Sequence, residues 1–193
     1  MILEKAEEPA ALRKTKKYAV VTVARMMPDK AYYRLAECIK NIPDEEKPDA
    51  EFWFVGGGSE KEKVEQFVKE NHLEEWIKVF GQQNNPYPYI KNADLYFCGS
   101  LREGFSTACQ EAALLGLPVV SVCVDGAQEL IEEAECGKVI ENSSAAITAE
   151  LRKLLSDDEL ISAWKQTADK NKSRFYKAAR IKKADEVLRE ALW

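Results

Sequence analysis

The chain has 193 residues, 46% of them hydrophobic, enough for one well-filled core and without a boundary between two comparable domains. A formal net charge of −5 argues against a general nucleic-acid binder, because neutralising phosphates takes a dense basic face. No apolar run approaches the roughly 18–20 residues needed to span a bilayer, and the start carries no secretory pattern, so a soluble domain is expected.

Residues 1–17 read as a lead-in, and its basic cluster Arg13, Lys14, Lys16 and Lys17 is expected to be solvated. From residue 18 onward, apolar runs of strand length recur: YAVVTVA (18–24), EFWFVGG (51–57), WIKVFG (76–81), ADLYFCGS (93–100), PVVSVCV (118–124) and the weaker GKVIEN (137–142). Most are continuous rather than alternating, as in strands covered on both faces. Between them the pattern turns helical at 30–42, with Leu35, Ile39 and Ile42 in phase, and at 59–71, with Val64, Phe67 and Val68. A short turn at 87–92 follows, then helices at 106–116, 127–134 and 145–155. Strand alternating with helix predicts an α/β, Rossmann-like, doubly wound six-stranded parallel sheet with helices on both faces. From 157 to 193 only helical signal remains, capped by Ser156 or Asp157, and a tail of two helices over the sheet is expected. Its basic stretch RFYKAARIKK (174–183) is expected as the solvated face of a packing helix; peripheral contact with an anionic membrane is the alternative it offers.

The five cysteines are odd in number, form no C-x-x-C pair and mostly sit in apolar runs, which fits reduced thiols in a cytoplasm. The single histidine, His72, has no partner at ligand spacing, and no D-x-D pair offers a divalent cation site, so no metal and no cofactor are expected.

In open parallel sheets ligands bind beyond the carboxyl ends of the strands, near the reversal of strand order. The loop after the first strand holds Arg25 and Lys30, two cations able to converge on an anion. The run Gly56-Gly57-Gly58 after the second lacks both the GK[ST] ending of a P-loop and the G-x-G-x-x-G spacing, and fits a tight turn as well as a phosphate cradle. The loop after the fourth strand says most. Gly104 lets backbone approach a ligand, and the amides of Phe105, Ser106 and Thr107 form an anion site at the start of helix 106–116. Glu103 precedes that turn, whereas Glu111 lies inside the helix, several ångströms further at ~1.5 Å per residue. They are too far apart for a close acid/base dyad. Instead they suit two hydroxyl-rich ends of one ligand with phosphates between, each accepting bonds worth about 1.5–3 kcal/mol. A nucleotide sugar has that layout. Read singly, Glu103 could be a dipole-complementing cap and Glu111 an exposed helix residue, but Glu111 runs into the packed seam AALLGLP, where a carboxylate needs a partner.

The segment EGFSTACQEAALLGLPVV resembles the E-x7-E signature of retaining glycosyltransferases of the two-domain GT-B fold, family 4. Further stretches follow in order: VTVAR with Lys30, FWFVGGGSEKEKVE, VFGQQNNPYPYIKNADLYFCGS and VDGAQELI all resemble family segments. Together they cover roughly residues 18–142. The NPYPY and EGFST wording is most similar to members that build capsular and other cell-surface polysaccharides. Two departures stand out: Ala24 and Ala31 occupy positions where the family usually has glycine.

The resemblance implies that Arg25 and Lys30 bind the diphosphate and stabilise the leaving group, and that Gly104, Phe105, Ser106 and Thr107 contact phosphate and sugar. Glu103 would hold sugar hydroxyls, Glu111 the ribose, and the backbone from Phe80 through Gly81 and Gln82 to Gln83 the base, with Gly57 also among the donor-binding residues. It implies metal-independent transfer of a hexose-type sugar, retaining its configuration, from a nucleoside diphosphate, UDP above all, to a glycan or lipid-linked glycan acceptor. The chain is then expected to be the donor-binding half of a larger enzyme, cytoplasmic or peripheral at the inner membrane face, with an acceptor-binding N-terminal domain absent and little transfer on its own. Two other readings are a non-catalytic scaffold that keeps the fold and, less supported with His72 as the sole histidine, a nucleotide-sugar epimerase.

Overall fold

In a computed structural model, which describes residues 1–10 and 12–181, the six apolar runs are the strands β1 (Tyr18–Val23), β2 (Ala50–Val55), β3 (Ile77–Gly81), β4 (Leu95–Cys98), β5 (Val119–Val122) and β6 (Gly137–Ile140). All pair in parallel, in the order β3-β2-β1-β4-β5-β6, so the order reverses between β1 and β4. β2, β4 and β5 are buried along their whole length, whereas the edge strands β3 and β6 are half-buried, which is why GKVIEN read as the weakest run.

Period-two alternation divides each central strand between two apolar layers. Val20, Phe52, Phe54 and Leu95 face a layer with α2 (Tyr32–Lys40), α3 (Lys61–Glu70), α7 (Ser144–Leu154) and the start of α8 (Asp158–Asn171). Val21, Trp53, Val55 and Tyr96 face the other, with α4 (Tyr87–Asn92), α5 (Thr107–Leu114) and α6 (Ala127–Ala134). Leu35, Ile39, Ile42, Val64 and Val68 are buried, as the helical spacing predicts. Asp157 is the cap of α8, accepting from the Leu160 amide at 2.9 Å.

Of the helices that begin later than their periodicity suggests, α2 and α5 show why. Pro28 opens a 3-10 turn over Pro28–Lys30 and Ala31 takes a left-handed φ of 55°, so α2 can start only at Tyr32. Ser106 is non-helical and caps α5 through its hydroxyl, which moves that helix start to Thr107.

The basic cluster of the lead-in is largely exposed, as expected, but three of its members are also paired. Lys14 pairs with buried Asp94, Lys16 with Glu75 and Lys17 with Asp158, clipping residues 14–17 across the amino-terminal edge of the sheet. Thr15 joins this clip by donating to buried Glu51, which also accepts from the Trp53 indole at 2.8 Å. Further upstream α1 (Ile2–Ala6) docks on α4 and buries Ala6; Asn85 donates to the Lys5 carbonyl at 2.7 Å. In the tail, Arg174 pairs with Glu135, and Arg180 pairs with Glu133 while stacking on Phe175. These partners favour the packing-helix reading of the basic stretch over a membrane patch; its Lys182 and Lys183, and most of the span expected for a second tail helix, lie outside the described residues. No helix among the described residues is long and apolar enough to cross a membrane.

Candidate functional site

The crevice opens where β1 parts from β4. Their ladder covers only Val20–Leu95 and Val21–Tyr96, and beyond it side chains replace the backbone bonds. Thr22 Oγ1 donates to the Phe97 carbonyl at 2.8 Å, and the Tyr96 phenol to the Val23 carbonyl at 2.9 Å. From the opposite face the Tyr32 phenol lies 3.2, 3.1 and 2.9 Å from the carbonyls of Thr22, Ala24 and Val55, sharing its one proton among them. Burial pushes both phenols up, so they remain protonated donors. The carboxyl edge of β1 is thereby clamped from both sides just before its loop departs.

That loop then meets the one after β4. The Leu101 amide donates to the Asp29 carbonyl at 2.8 Å, and Lys30 Nζ sits 3.0 Å from Glu103 Oε1 and 3.6 Å from Asp29. Ser100 Oγ donates to the same Glu103 oxygen at 2.6 Å. Burial alone would lower the Lys30 ammonium, but the two carboxylates outweigh it and raise its pKa, which keeps the cation charged. Asp29, Lys30, Arg102, Glu103, Gly104 and Asp125 line an open cleft of about 540 Å³. The place a Cβ on Gly104 would occupy is empty space of that cleft.

Arg25 is exposed and lines a second cleft, of about 380 Å³, with Gly57, Gln82, Gln83 and Pro86. The flanking glycines there are structural: at φ of 145° and 152°, a Cβ on Gly56 would lie 1.8 Å from the Ala24 carbonyl oxygen, and on Gly58 2.4 Å from that of Met26. At those two positions it is the close approach of neighbouring backbone that requires glycine. The Phe80 ring turns inward onto Trp53 and Tyr89, and its carbonyl accepts from the Gln83 side chain at 2.7 Å; the Gly81 carbonyl serves the Gly56 amide.

On α5 the residues divide. Ser106 Oγ accepts from the Cys109 amide, so its hydroxyl is engaged in capping, and Thr107 is exposed at the first turn. Phe105 is 55% exposed and covers Gly126, where a Cβ would come within 2.6 Å of the ring. Glu111 has the partner that its seam demands: the Tyr87 phenol donates to Oε1 at 3.0 Å. Burial raises the Glu111 pKa and the Tyr87 bond partly opposes that. Thus Lys30, Glu103 and Gly104 share one cleft, Arg25, Gly57 and Gln82 another, and Glu111 lies on α5.

Sequence reasoning missed Ser100, Asp29, Asp125 and Tyr87 as site residues. Tyr87, Ser100 and Asp125 all stood in stretches already singled out, so part of their signal was present; only the folded loops bring Asp125 to the cleft and Ser100 to Glu103. Among the described residues, no group of three or more His, Cys, Asp or Glu is arranged to hold a metal ion.

Over residues 4–171 the sequence matches the family model described as Glycosyl transferases group 1. A Campylobacter jejuni protein, N-acetylgalactosamine-N,N'-diacetylbacillosaminyl-diphospho-undecaprenol 4-alpha-N-acetylgalactosaminyltransferase, is 30% identical over 90% of this chain and 46% of its own length. The amylovoran biosynthesis glycosyltransferase AmsD of Erwinia amylovora is 26% identical over 90% of this chain and 48% of its own. The crystal structure of Anabaena HepE in complex with UDP superposes with a TM-score of 0.74 at 22% identity, covering 91% of this chain and 49% of that one, a likeness of fold. The chain spans about half the length of these relatives. With the reversed strand order and the cleft at its switch point, these matches show that the chain belongs to the group 1 glycosyl transferases and carries the Rossmann-like α/β fold of GT-B glycosyltransferases.

Proposed function

We propose that this chain is the donor-binding half of a retaining glycosyltransferase, with residues 1–17 as the lead-in from an acceptor-binding domain, acting in cell-surface polysaccharide synthesis. The donor is a UDP-hexose, and the acceptor a glycan or lipid-linked glycan. The observation that carries this reading is the Lys30–Glu103 pair at the β1/β4 switch point, beside the open space at Gly104. A diphosphate placed over Gly104 and the first turn of α5 meets the Lys30 ammonium and amides that the helix leaves unbonded. Arg25 reaches it from the neighbouring cleft. Lys30, still held by Glu103, then stabilises charge building on the departing diphosphate without needing to reorganise. Glu103 keeps a second oxygen for sugar hydroxyls, and in this reading Glu111 holds the ribose. These cations would supply the countercharge in a metal-independent transfer. The names of two relatives support the class of acceptor and product: one acts on a diphospho-undecaprenol-linked saccharide, the other serves amylovoran synthesis.

The test is calorimetric titration of the chain with UDP and UDP-hexoses. Saturable binding is expected, weakened at least about tenfold, or ~1.4 kcal/mol, by Lys30→Ala and by Glu111→Ala. Absence of binding, or binding indifferent to both substitutions, overturns the reading.

A further inference from the structure

Among the described residues, two buried side-chain polar atoms have no hydrogen-bond partner: Arg34 Nε and Asn142 Oδ1. Leaving such atoms unpaired costs stability, so each calls for a reason. Both belong to side chains whose other end holds the same stretch of backbone. From α2, Arg34 Nη2 donates to the Gly99 carbonyl at 2.6 Å. From the residue pair after β6, Asn142 Nδ2 lies 3.3 Å from the Ser100 carbonyl, 3.4 Å from that of Leu101 and 3.5 Å from that of Cys123. Its two hydrogens serve two of these at a time. Residues 99–101 are therefore gripped at three successive carbonyls, while the Leu101 amide is tied to Asp29.

The grip has a rigid base. Ser143 caps α7 by accepting from the Ala146 amide at 3.2 Å, and α7 packs on α2 through Thr148 Oγ1 donating to the Cys38 carbonyl at 3.4 Å. Lys30 ends the 3-10 turn and Arg34 stands four positions on in the first turn of α2, one reaching Glu103 and the other Gly99. An apolar residue at either position would spare the unpaired atom but release the loop.

We propose that Arg34 and Asn142 are positioning residues that fix segment 99–101 from behind, so that Glu103 is presented to the sugar end of the donor. The inference rests on the donor reading above. It separates the two halves of the ligand: losing the grip should cost the sugar contacts made through Glu103 and leave those of the nucleotide.

The experiment compares binding of UDP with binding of UDP-glucose, UDP-galactose and their N-acetyl forms, for the unaltered chain, Arg34→Met, Arg34→Lys and Asn142→Leu. Met keeps the apolar stem of Arg34, and Lys can restore one bond to Gly99. The affinity gained by the best UDP-hexose over UDP is expected to fall about tenfold in Arg34→Met and Asn142→Leu, the size of one charge-assisted bond, with UDP affinity changed by no more than about twofold. Arg34→Lys is expected to recover part of it. A merely structural role would lower both affinities together, through a smaller folded fraction. An unchanged ratio, or equal loss of both ligands, in Arg34→Met and Asn142→Leu overturns this inference alone. Failure of the unaltered chain to bind any nucleotide overturns the donor reading and this inference with it.

Discussion

The Tyr87 phenol donates to Glu111 Oε1 at 3.0 Å, tying a carboxylate inside α5 to the helix that follows Asn85. Glu111 is half-buried and its pKa is raised by that burial above the ordinary 4.5. In the folded chain it therefore binds a proton more readily than when unfolded, so folding stability falls as pH climbs from 4.5 through the raised value. The charge is carried at a cost to stability that a ligand can repay.

Glu111→Gln removes that cost while keeping an acceptor for Tyr87. At pH 7 the variant is expected to melt on the order of 1 °C higher than the unaltered chain, the scale of a few tenths of a kcal/mol in a domain this size. Below pH 4.5, where the carboxyl is protonated, the gain should vanish. Scanning calorimetry at both pH values checks this; a lower melting point for Glu111→Gln at pH 7 contradicts it.

The glycines around the crevice should respond oppositely to the same change. A Cβ at Gly56 would meet the Ala24 carbonyl at 1.8 Å, so Gly56→Ala is expected to cost about 3 kcal/mol or more. Nothing lies within 4 Å of a Cβ at Gly104, and Gly104→Ala should leave stability within about 0.5 kcal/mol. Its methyl group would stand in the cleft, and UDP-hexose affinity is expected to drop by about tenfold, displacing one charge-assisted bond. Urea melts and donor titrations of the two variants should separate the roles; a destabilised Gly104→Ala would refute the assignment.

Asp94 tests the other end of the sheet. It is buried, a circumstance that would raise its pKa, yet Lys165, Lys14 and the Ala19 amide hold it below the ordinary 3.8. A depressed carboxyl adds stability above its unfolded value, and that contribution is lost as pH falls from 3.8 through the folded value. Asp94→Asn should cost about 2 kcal/mol at pH 7, for the charge-assisted bonds weakened, or about 4–8 °C in melting temperature. The difference should shrink steadily below pH 3.8. A gap that stays constant to pH 3 would show that the ion pairs do not supply it.

The strands, though not their order in the sheet, and the helical faces were legible because burial on both sides writes itself as continuous apolar runs, and amphipathic helices as Leu35, Ile39 and Ile42 in phase. Lys30, Glu103 and Glu111 could be read from charge placed after strands and inside a packed seam. Ser100, Arg34 and Asn142 could not, since their work depends on where three separate loops meet. The salt bridges of Lys14, Lys16 and Lys17 were missed for a related reason: a local charge cluster carries no sign of the acidic residues, 59 to 141 positions away, that the sheet edge brings to it.

Ala31 is the clearest case of sequence and backbone in tension. Its φ of 55° lies in the left-handed region, where an L-residue with a Cβ is held at a cost of roughly 1–2 kcal/mol. It stands between the 3-10 turn that carries Lys30 and the start of α2 that carries Arg34, so the strained residue sets the angle between the two cations. Ala31→Gly relieves the strain but loses a buried methyl, ~0.8 kcal/mol, and frees the unfolded chain by about 0.4–1 kcal/mol. The opposing changes should leave stability within about 0.5 kcal/mol of the unaltered chain. Ala31→Val, which puts a β-branched residue at a positive φ, should cost about 2 kcal/mol or more. Both variants can be followed by urea denaturation, with the UDP-hexose titration as a second measurement. If valine is tolerated as well as glycine, the turn has adjusted to an ordinary φ, and the Lys30 ammonium should then lose its hold on Glu103 and the donor affinity with it.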